Sequence, residues 1–118
     1  MNNQLKSILV INIIVITFWI SIVIYRQTQN IDVGWMRDDI FPSCNGWCVG
    51  HFIHYTLLGF FAPSYWWVFM LIGHLFEYVE MILGNYSKYI DSKVVDDTLT
   101  NSAGVLVGLL ILALYRAN

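Results

Sequence analysis

The stretch from residue 48 to residue 83, CVGHFIHYTLLGFFA-PS-YWWVFMLIGHLFEYVEMIL, is the part of the sequence that decides the fold. Only Pro63 and Ser64 separate its two apolar segments, 48–62 and 65–83. Because proline interrupts a helix, the pattern predicts two helices joined by a tight turn into an antiparallel hairpin. The first segment is short for a bilayer crossing, whereas the second has the necessary length.

Two further apolar segments flank this hairpin in the sequence. Residues 8–25 carry no charge, and a lysine and Arg26 bracket them, so that these long side chains can reach the two membrane interfaces. The last segment, 97–115, begins with Asp97 and Thr98, either of which suits a helix N-cap. The connections between the segments, apart from the tight turn, are polar and are predicted to be loops at one end of the bundle.

The composition places these segments in a membrane. Of 118 residues, 58% are hydrophobic and only 12% are charged, about half the charged fraction of a typical soluble domain. Six Lys and Arg against eight Asp and Glu leave no basic patch, so we expect no nucleic-acid partner. We predict an all-α fold, a four-span transmembrane helical bundle forming a single multi-pass integral membrane domain. The predicted spans within the domain 1–118 are 8–25, 48–62, 65–83 and 97–115.

The ionisable residues inside the predicted helices lie at similar depth, near the ends that meet the loops. Helical spacing puts His51 and His54 on one face of the second span, and His74, Glu77 and Glu80 on one face of the third. Acidic groups at membrane depth are costly without partners, which predicts that these faces meet in one polar pocket. The predicted binding residues are His51, His54, Tyr55, His74, Glu77, Glu80, Asp97 and Asn101, and Gly104 and Gly108 are predicted to pack helices closely.

This combination of side chains allows several kinds of chemistry. Nitrogen and oxygen ligands from His51, His54, Glu77 and Glu80 would suit a divalent metal such as Zn, Mn or Fe; no other cofactor is indicated. Alternatively, the residues form a proton-sharing network, with Glu77, Glu80 and His54 as catalytic acid/base candidates.

Each polar element also has a purely structural interpretation. Asp97 could serve only as an N-cap, and the two histidines could be a pair at a helix interface. Cys44 and Cys48 are interpreted as a small loop disulfide or as two free thiols, with a metal role as a further alternative.

Three motifs resemble the VanZ-like family of membrane proteins. The string His51-Phe52-x-x-Tyr55-x-x-Leu58 resembles the histidine–tyrosine helix of that family, and Glu77-x-x-Glu80 stands where the family has Glu-x-x-Gln. The run Asp97-x-x-x-Asn101-x-x-Gly104-x-x-x-Gly108 resembles its last-helix signature. A related bacterial family of uncharacterised membrane proteins shares parts of the same pattern. The resemblance covers residues 48–112 and implies a four-span bundle with a polar pocket, but no particular reaction.

Besides Glu80 in place of the glutamine, which adds a negative charge to the pocket, the chain departs from the family pattern at two places. Val49-Gly50 stands where VanZ-like proteins usually have Asp-Lys before the histidine. The arginine expected before the last helix has no direct counterpart, although Lys88 or Lys93 could take its place.

Three hypotheses about function follow. The first is a VanZ-like membrane protein whose pocket binds an ion, a lipid headgroup or a cell-envelope intermediate. The second is a membrane-embedded, metal-dependent hydrolase or transferase acting on a lipid. The third is a structural subunit of a homo-oligomer or of a larger membrane or viral assembly. Membrane lipid is the expected partner in each case.

Overall fold

The computed structural model describes residues 1–31, 34–87 and 94–118, without the side chains of residues 37, 94 and 95. Lys88 and Lys93 lie outside the described residues. Helices dominate the described ranges, which confirms the all-α prediction. The elements are α1 Asn3–Gln29, α2 Gly34–Arg37, β1 Asp39–Phe41, β2 Cys44–Asn45, α3 Gly46–Phe61, a 3-10 turn Pro63–Tyr65, α4 Trp66–Leu83 and α5 Val94–Ala117.

Three helical stretches are long and apolar enough to cross a membrane: Asn3–Gln29, Pro63–Leu83 and Asp96–Ala117. The remaining long helix, α3, has 16 residues and a length of about 24 Å. This is less than the ~30 Å thickness of a bilayer's hydrocarbon core. The described helices therefore support one part of the predicted architecture, an all-α protein with three helices long enough to cross a membrane.

Helix α1 is longer than the predicted segment 8–25 because polar residues at both ends remain helical. Asn2 caps its start by accepting a hydrogen bond from the backbone N–H of Leu5 at 2.8 Å. Asn30 ends the helix in the left-handed conformation, with φ of 50°. Arg26, near this end, is buried against the protein, with 5% of its surface exposed.

Helix α5 begins earlier than expected. Its first helical residue is Val94, so Asp97 lies inside the first turn and the predicted N-cap role of Asp97 or Thr98 is wrong. Asp96 and Asp97 both belong to this turn, where negative charge complements the helix dipole. The consequence is that the side chain of Asp97 can point into the bundle.

The region predicted as a polar loop contains a small substructure before α3. Strands β1 and β2 pair antiparallel, and Ser43 between them has a φ of 61°. Cys44 and Cys48 form a disulfide that joins β2 to the first turn of α3, which decides among the three sequence-based alternatives. The side-chain oxygen of Asn45 caps α3 by accepting from the N–H of Cys48 at 3.0 Å.

The four long helices of the described ranges alternate in direction. We call the end of the bundle where α1 starts the terminal end; there, Gln4 on α1 bonds to Ser64 in the turn before α4. At the other, the loop end, Ser87 beyond α4 donates to Gln27 of α1 at 3.3 Å. Helix α3 is central: it packs along α5 and against α1, whereas α1 and α4 do not pack closely against each other. This arrangement leaves a gap between α1 and α4.

Glycines allow α3 and α5 to run side by side in parallel. A Cβ on Gly108 would overlap the carbonyl oxygen of Thr56, and one on Gly104 would lie 2.7 Å from that of Phe52. Such close backbone approach is typical of small residues at helix contacts within membranes. The seam ends in an apolar core towards the terminal end, formed by Tyr55, Leu58, Ala62, Phe69 and Val105.

Candidate functional site

Three acidic side chains and one imidazole converge between the apolar core and the loop end of the bundle. His51 comes from α3, Glu77 and Glu80 from α4, and Asp97 from α5. One ligand atom from each of the four lies within 4.8 Å of the other three. All four side chains are buried, and Glu77 is completely inaccessible to solvent. We refer to these four residues as the polar cluster.

The imidazole of His51 lies between two carboxyl groups. Its Nε2 is 3.5 Å from Oε1 of Glu77 and 3.5 Å from Oε2 of Glu80. Neither contact has hydrogen-bond geometry, and Nε2 has no hydrogen-bond partner within the described part of the chain. The atom therefore points into the cluster without a direct bond to either carboxyl group.

Two neighbouring side chains hold the glutamates in place. Asn101, one turn along α5 from Asp97, donates its Nδ2 to Oε1 of Glu77 at 3.1 Å. The indole Nε1 of Trp47 donates to Oε2 of Glu80 over a longer distance of 3.5 Å. The other polar atom of Asn101, Oδ1, is buried and has no hydrogen-bond partner among the described residues.

Helical spacing explains why these residues meet. Glu77 and Glu80 are three residues apart on α4, and Asp97 and Asn101 are four apart on α5, so each pair presents one face. Gly104 and Gly108 bring α5 close to α3, and Gly73 lets α4 approach Tyr55. The polar cluster therefore depends on small residues packed beneath it.

The other predicted site residues lie around the cluster rather than in it. The Nε2 of His54 bonds to Oδ1 of Asn12 on α1 at 2.9 Å. The Nδ1 of His74 bonds to the hydroxyl of Thr98 at 3.1 Å. Tyr55 belongs to the apolar core. Asp97, and not His54, thus completes the set of four convergent ligand atoms.

An apolar cleft of about 400 Å³ lies between α1, α3 and α4. It extends along α1 from Asn12 to Ile24, a distance of about 18 Å. His51 and Glu80 belong to both the cleft and the polar cluster, so the two are in contact. The other lining residues are Val15, Ile16, Trp19, Ile20, Val23, Trp47, His54, Tyr55, Ile72, Phe76 and Leu83.

Two tryptophans and an asparagine are site residues that sequence reasoning did not identify. Trp19 packs against Trp47 with ring centroids 4.7 Å apart and meets His51 edge-on. Gly50 makes room for it, since a Cβ there would overlap the Trp19 indole. The signal that could have revealed Asn12 is its position as a polar residue inside the first apolar segment.

The arrangement allows two kinds of chemistry. One imidazole and three carboxyl groups within ligand distance can hold a metal ion. This set of ligands contains Asp97 where the sequence-based set contained His54. The contact between the cluster and an apolar cleft also suits a molecule with one polar and one apolar part. No protein-family model, curated protein or solved structure matches the chain.

Proposed function

We propose that the chain is a multi-pass membrane protein of VanZ-like type that binds a lipid in the cleft between α1, α3 and α4. The observation that carries this proposal is the contact between an apolar cleft of about 400 Å³ and a buried polar cluster. In the bound state, the acyl chain lies along α1 and the headgroup lies against His51 and Glu80. The lipid is held for recognition or presentation, with no chemical step required.

The membrane assignment is supported by the surfaces of the helices. Large apolar side chains on the outside of α1, α4 and α5 are more than half exposed, among them Ile14, Leu71 and Leu110. Contiguous apolar surface of this kind is rare on soluble monomers and is covered by lipid in a membrane protein. Helix α3, although short, is flanked by α1 and α5, so protein and not lipid surrounds much of it and four crossings are feasible.

The shape of the cleft favours lipid over a water-soluble ligand. Its volume falls within the range of about 300–1,000 Å³ that is usual for small-molecule sites. Because α1 and α4 do not pack closely against each other, the gap between them is a lateral path from the bilayer. Its walls are mostly aliphatic and aromatic; the exceptions are the bonded pair Asn12 and His54, the hydroxyl of Tyr55, and His51 and Glu80, which border the polar cluster.

The polar end of the cleft favours a particular headgroup chemistry. The carboxyl group of Glu80 is a hydrogen-bond acceptor, and a second carboxyl group, that of Glu77, lies behind it. Such a site prefers amine or hydroxyl donors to a bare phosphate. We therefore expect lipids with ethanolamine, glycerol or sugar headgroups to bind best.

The VanZ-like assignment rests on three motifs in the family's order. Residues from all three motifs, His51, Glu77 and Asp97, lie together in the polar cluster. This meeting supports the polar pocket that the resemblance implies, and it would be unexpected if the motifs matched by coincidence.

Filling the cleft with a larger side chain is expected to displace the lipid. Ile16 lines the cleft, whereas Ile14 lies on the outer face of α1. We expect Ile16→Trp to reduce co-purifying lipid at least about tenfold, and Ile14→Trp to leave it unchanged, because only the first adds volume inside a site of this size. The measurement is extraction of lipid from detergent-purified protein, quantified per chain by mass spectrometry.

Two results of this experiment would contradict the proposal. One is an equal amount of lipid on Ile16→Trp, Ile14→Trp and the unsubstituted chain. The other is a bound lipid population that has the same composition as the surrounding membrane, since a selective site enriches particular headgroups.

A further inference from the structure

We infer that His51, Glu77, Glu80 and Asp97 form a binding site for one divalent transition-metal ion. This inference goes beyond the proposed lipid binding and does not depend on it. Three helices contribute to the site: α3 supplies the imidazole, α4 two carboxyl groups and α5 the third. All four groups are at most 5% exposed.

The distances within the cluster match those between ligands of a common ion. Nitrogen and oxygen ligands lie about 2.0–2.2 Å from zinc, which places neighbouring ligands of a tetrahedral site about 3.3–3.6 Å apart. The Nε2 of His51 is 3.5 Å from the nearest oxygens of both Glu77 and Glu80. The widest separation among the four ligand atoms is 4.8 Å, so binding requires a contraction of about one ångström at that pair.

An independent observation points to a ligand at this position. The Nε2 of His51 is buried and directed into the cluster, yet forms no hydrogen bond in the described part of the chain. Buried polar side-chain atoms usually have a hydrogen-bond partner, and a ring nitrogen that faces two carboxyl groups without a hydrogen bond to either is suited to donate its lone pair to a metal ion. The buried Oδ1 of Asn101 is likewise without a hydrogen-bond partner among the described residues and can accept from a metal-bound water.

The supporting hydrogen bonds are those expected around metal ligands. Asn101 holds Glu77 at 3.1 Å, and Trp47 reaches Glu80 at 3.5 Å. Such outer contacts orient the ligating carboxyl groups and restrict their rotamers. His51 and Glu80 also line the cleft, so the cluster borders the cleft on one side.

The donor set selects a class of ion. One imidazole and three carboxyl groups suit Mn²⁺, Fe²⁺ or Zn²⁺, whereas Ca²⁺ and Mg²⁺ prefer oxygen ligands alone. Soft ions such as Cu⁺ require sulfur ligands, and both cysteines are held in a disulfide. Mn²⁺ and Zn²⁺ are therefore the appropriate probes.

The test is a titration of the detergent-purified full chain, after removal of metal with a chelator, with Mn²⁺ or Zn²⁺. We expect about one ion per chain, and we expect His51→Gln and Asp97→Asn each to weaken binding at least about 100-fold. Matched controls exist for both changes. His74→Gln changes a histidine that lines neither the cluster nor the cleft, and Asp96→Asn changes the exposed neighbour of Asp97. Both variants should bind metal like the unsubstituted chain.

Several outcomes would overturn the inference. These are negligible metal binding by the unsubstituted chain, or equal loss in the cluster variants and in their controls. Circular dichroism and size-exclusion chromatography establish that each variant is folded. Should the cluster variants fail to fold, X-ray absorption of the Zn²⁺-loaded unsubstituted chain decides. One nitrogen ligand with oxygen atoms as all the other ligands supports the site. Sulfur ligands, or water ligands alone, reject it.

The metal and lipid experiments can fail separately. Ile16→Trp changes the cleft without touching any of the four ligands, so metal binding should survive when lipid is lost. If the unsubstituted chain binds metal but no lipid, the metal site stands and the proposed function is rejected. If it binds lipid but no metal, the proposed function stands and the metal site is rejected.

Discussion

Replacing Gly108 with leucine is expected to destroy the folded bundle. Any Cβ at this position overlaps the backbone carbonyl of Thr56 on α3, and backbone cannot move aside as a flexible side chain can. Overpacking of a core typically costs about 1–3 kcal/mol, and a backbone clash at the main helix contact should reach at least the upper value. Leucine also has a helix propensity about 1 kcal/mol better than glycine, which opposes this loss but is smaller.

The measurement is thermal unfolding in detergent, followed by circular dichroism. Ala103→Leu is the matched control, because it adds the same type of side chain to an exposed position of α5. We expect an unchanged midpoint for the control and either a large decrease or no cooperative transition for Gly108→Leu. A Gly108→Leu chain that unfolds at the same temperature as the control would show that α3 and α5 do not pack as described.

Replacing Asn101 with leucine is expected to destabilise the protein, and adding Glu77→Leu is expected to restore much of the loss. Asn101 is buried and donates to Oε1 of Glu77, so its removal leaves that oxygen without this donor. An unsatisfied buried polar group costs about 1–3 kcal/mol, whereas replacing both partners with apolar groups can be nearly neutral. The double variant should therefore be more stable than the sum of the single changes predicts.

The free energies are compared in a double-mutant cycle, with chelator present so that metal does not contribute. We expect a coupling of at least about 1 kcal/mol between positions 77 and 101. Glu77→Leu combined with Ala103→Leu is the control pair and should give additive effects, because residue 103 is on the exposed side of α5. Additive effects for both pairs would mean that the hydrogen bond contributes nothing to stability.

The helices could be predicted from the sequence, but their neighbours could not. Apolar segments and Pro63 indicate where helices lie, because burial in a bilayer requires about 20 apolar residues for each crossing. Helix α3 packs mainly on α5, which is distant in sequence, and less on α4, which follows it. The glycines at 104 and 108 indicated a close contact without identifying the partner. The polar ends of α1 were missed because they depend on the caps at Asn2 and Asn30.

Depth along the helices was the informative signal for which acidic residues lie near one another. Glu77, Glu80 and Asp97 belong to helix ends that meet at one end of the bundle, and the structure brings them together. The rotation of α3 about its own axis could not be predicted accurately enough to tell which histidine faces the polar cluster. Residues three apart are separated by about 60° around a helix, and this angle turns His54 towards α1 while His51 faces the cluster. Because apolar residues occur on every face of α1, no periodicity indicated that Trp19 would contact the site.

The Cys44–Cys48 disulfide has a consequence for the orientation of the protein. Disulfides form and persist in oxidising compartments and are rare in the reducing cytosol. The bond lies at the loop end. Under the proposed arrangement with four crossings, we expect the loop end to face the oxidising side and both chain termini to face the cytosol. The cleft and the polar cluster then belong to the leaflet farther from the cytosol. Lipid would enter from that leaflet, and the metal ion would come from outside the cytosolic pool.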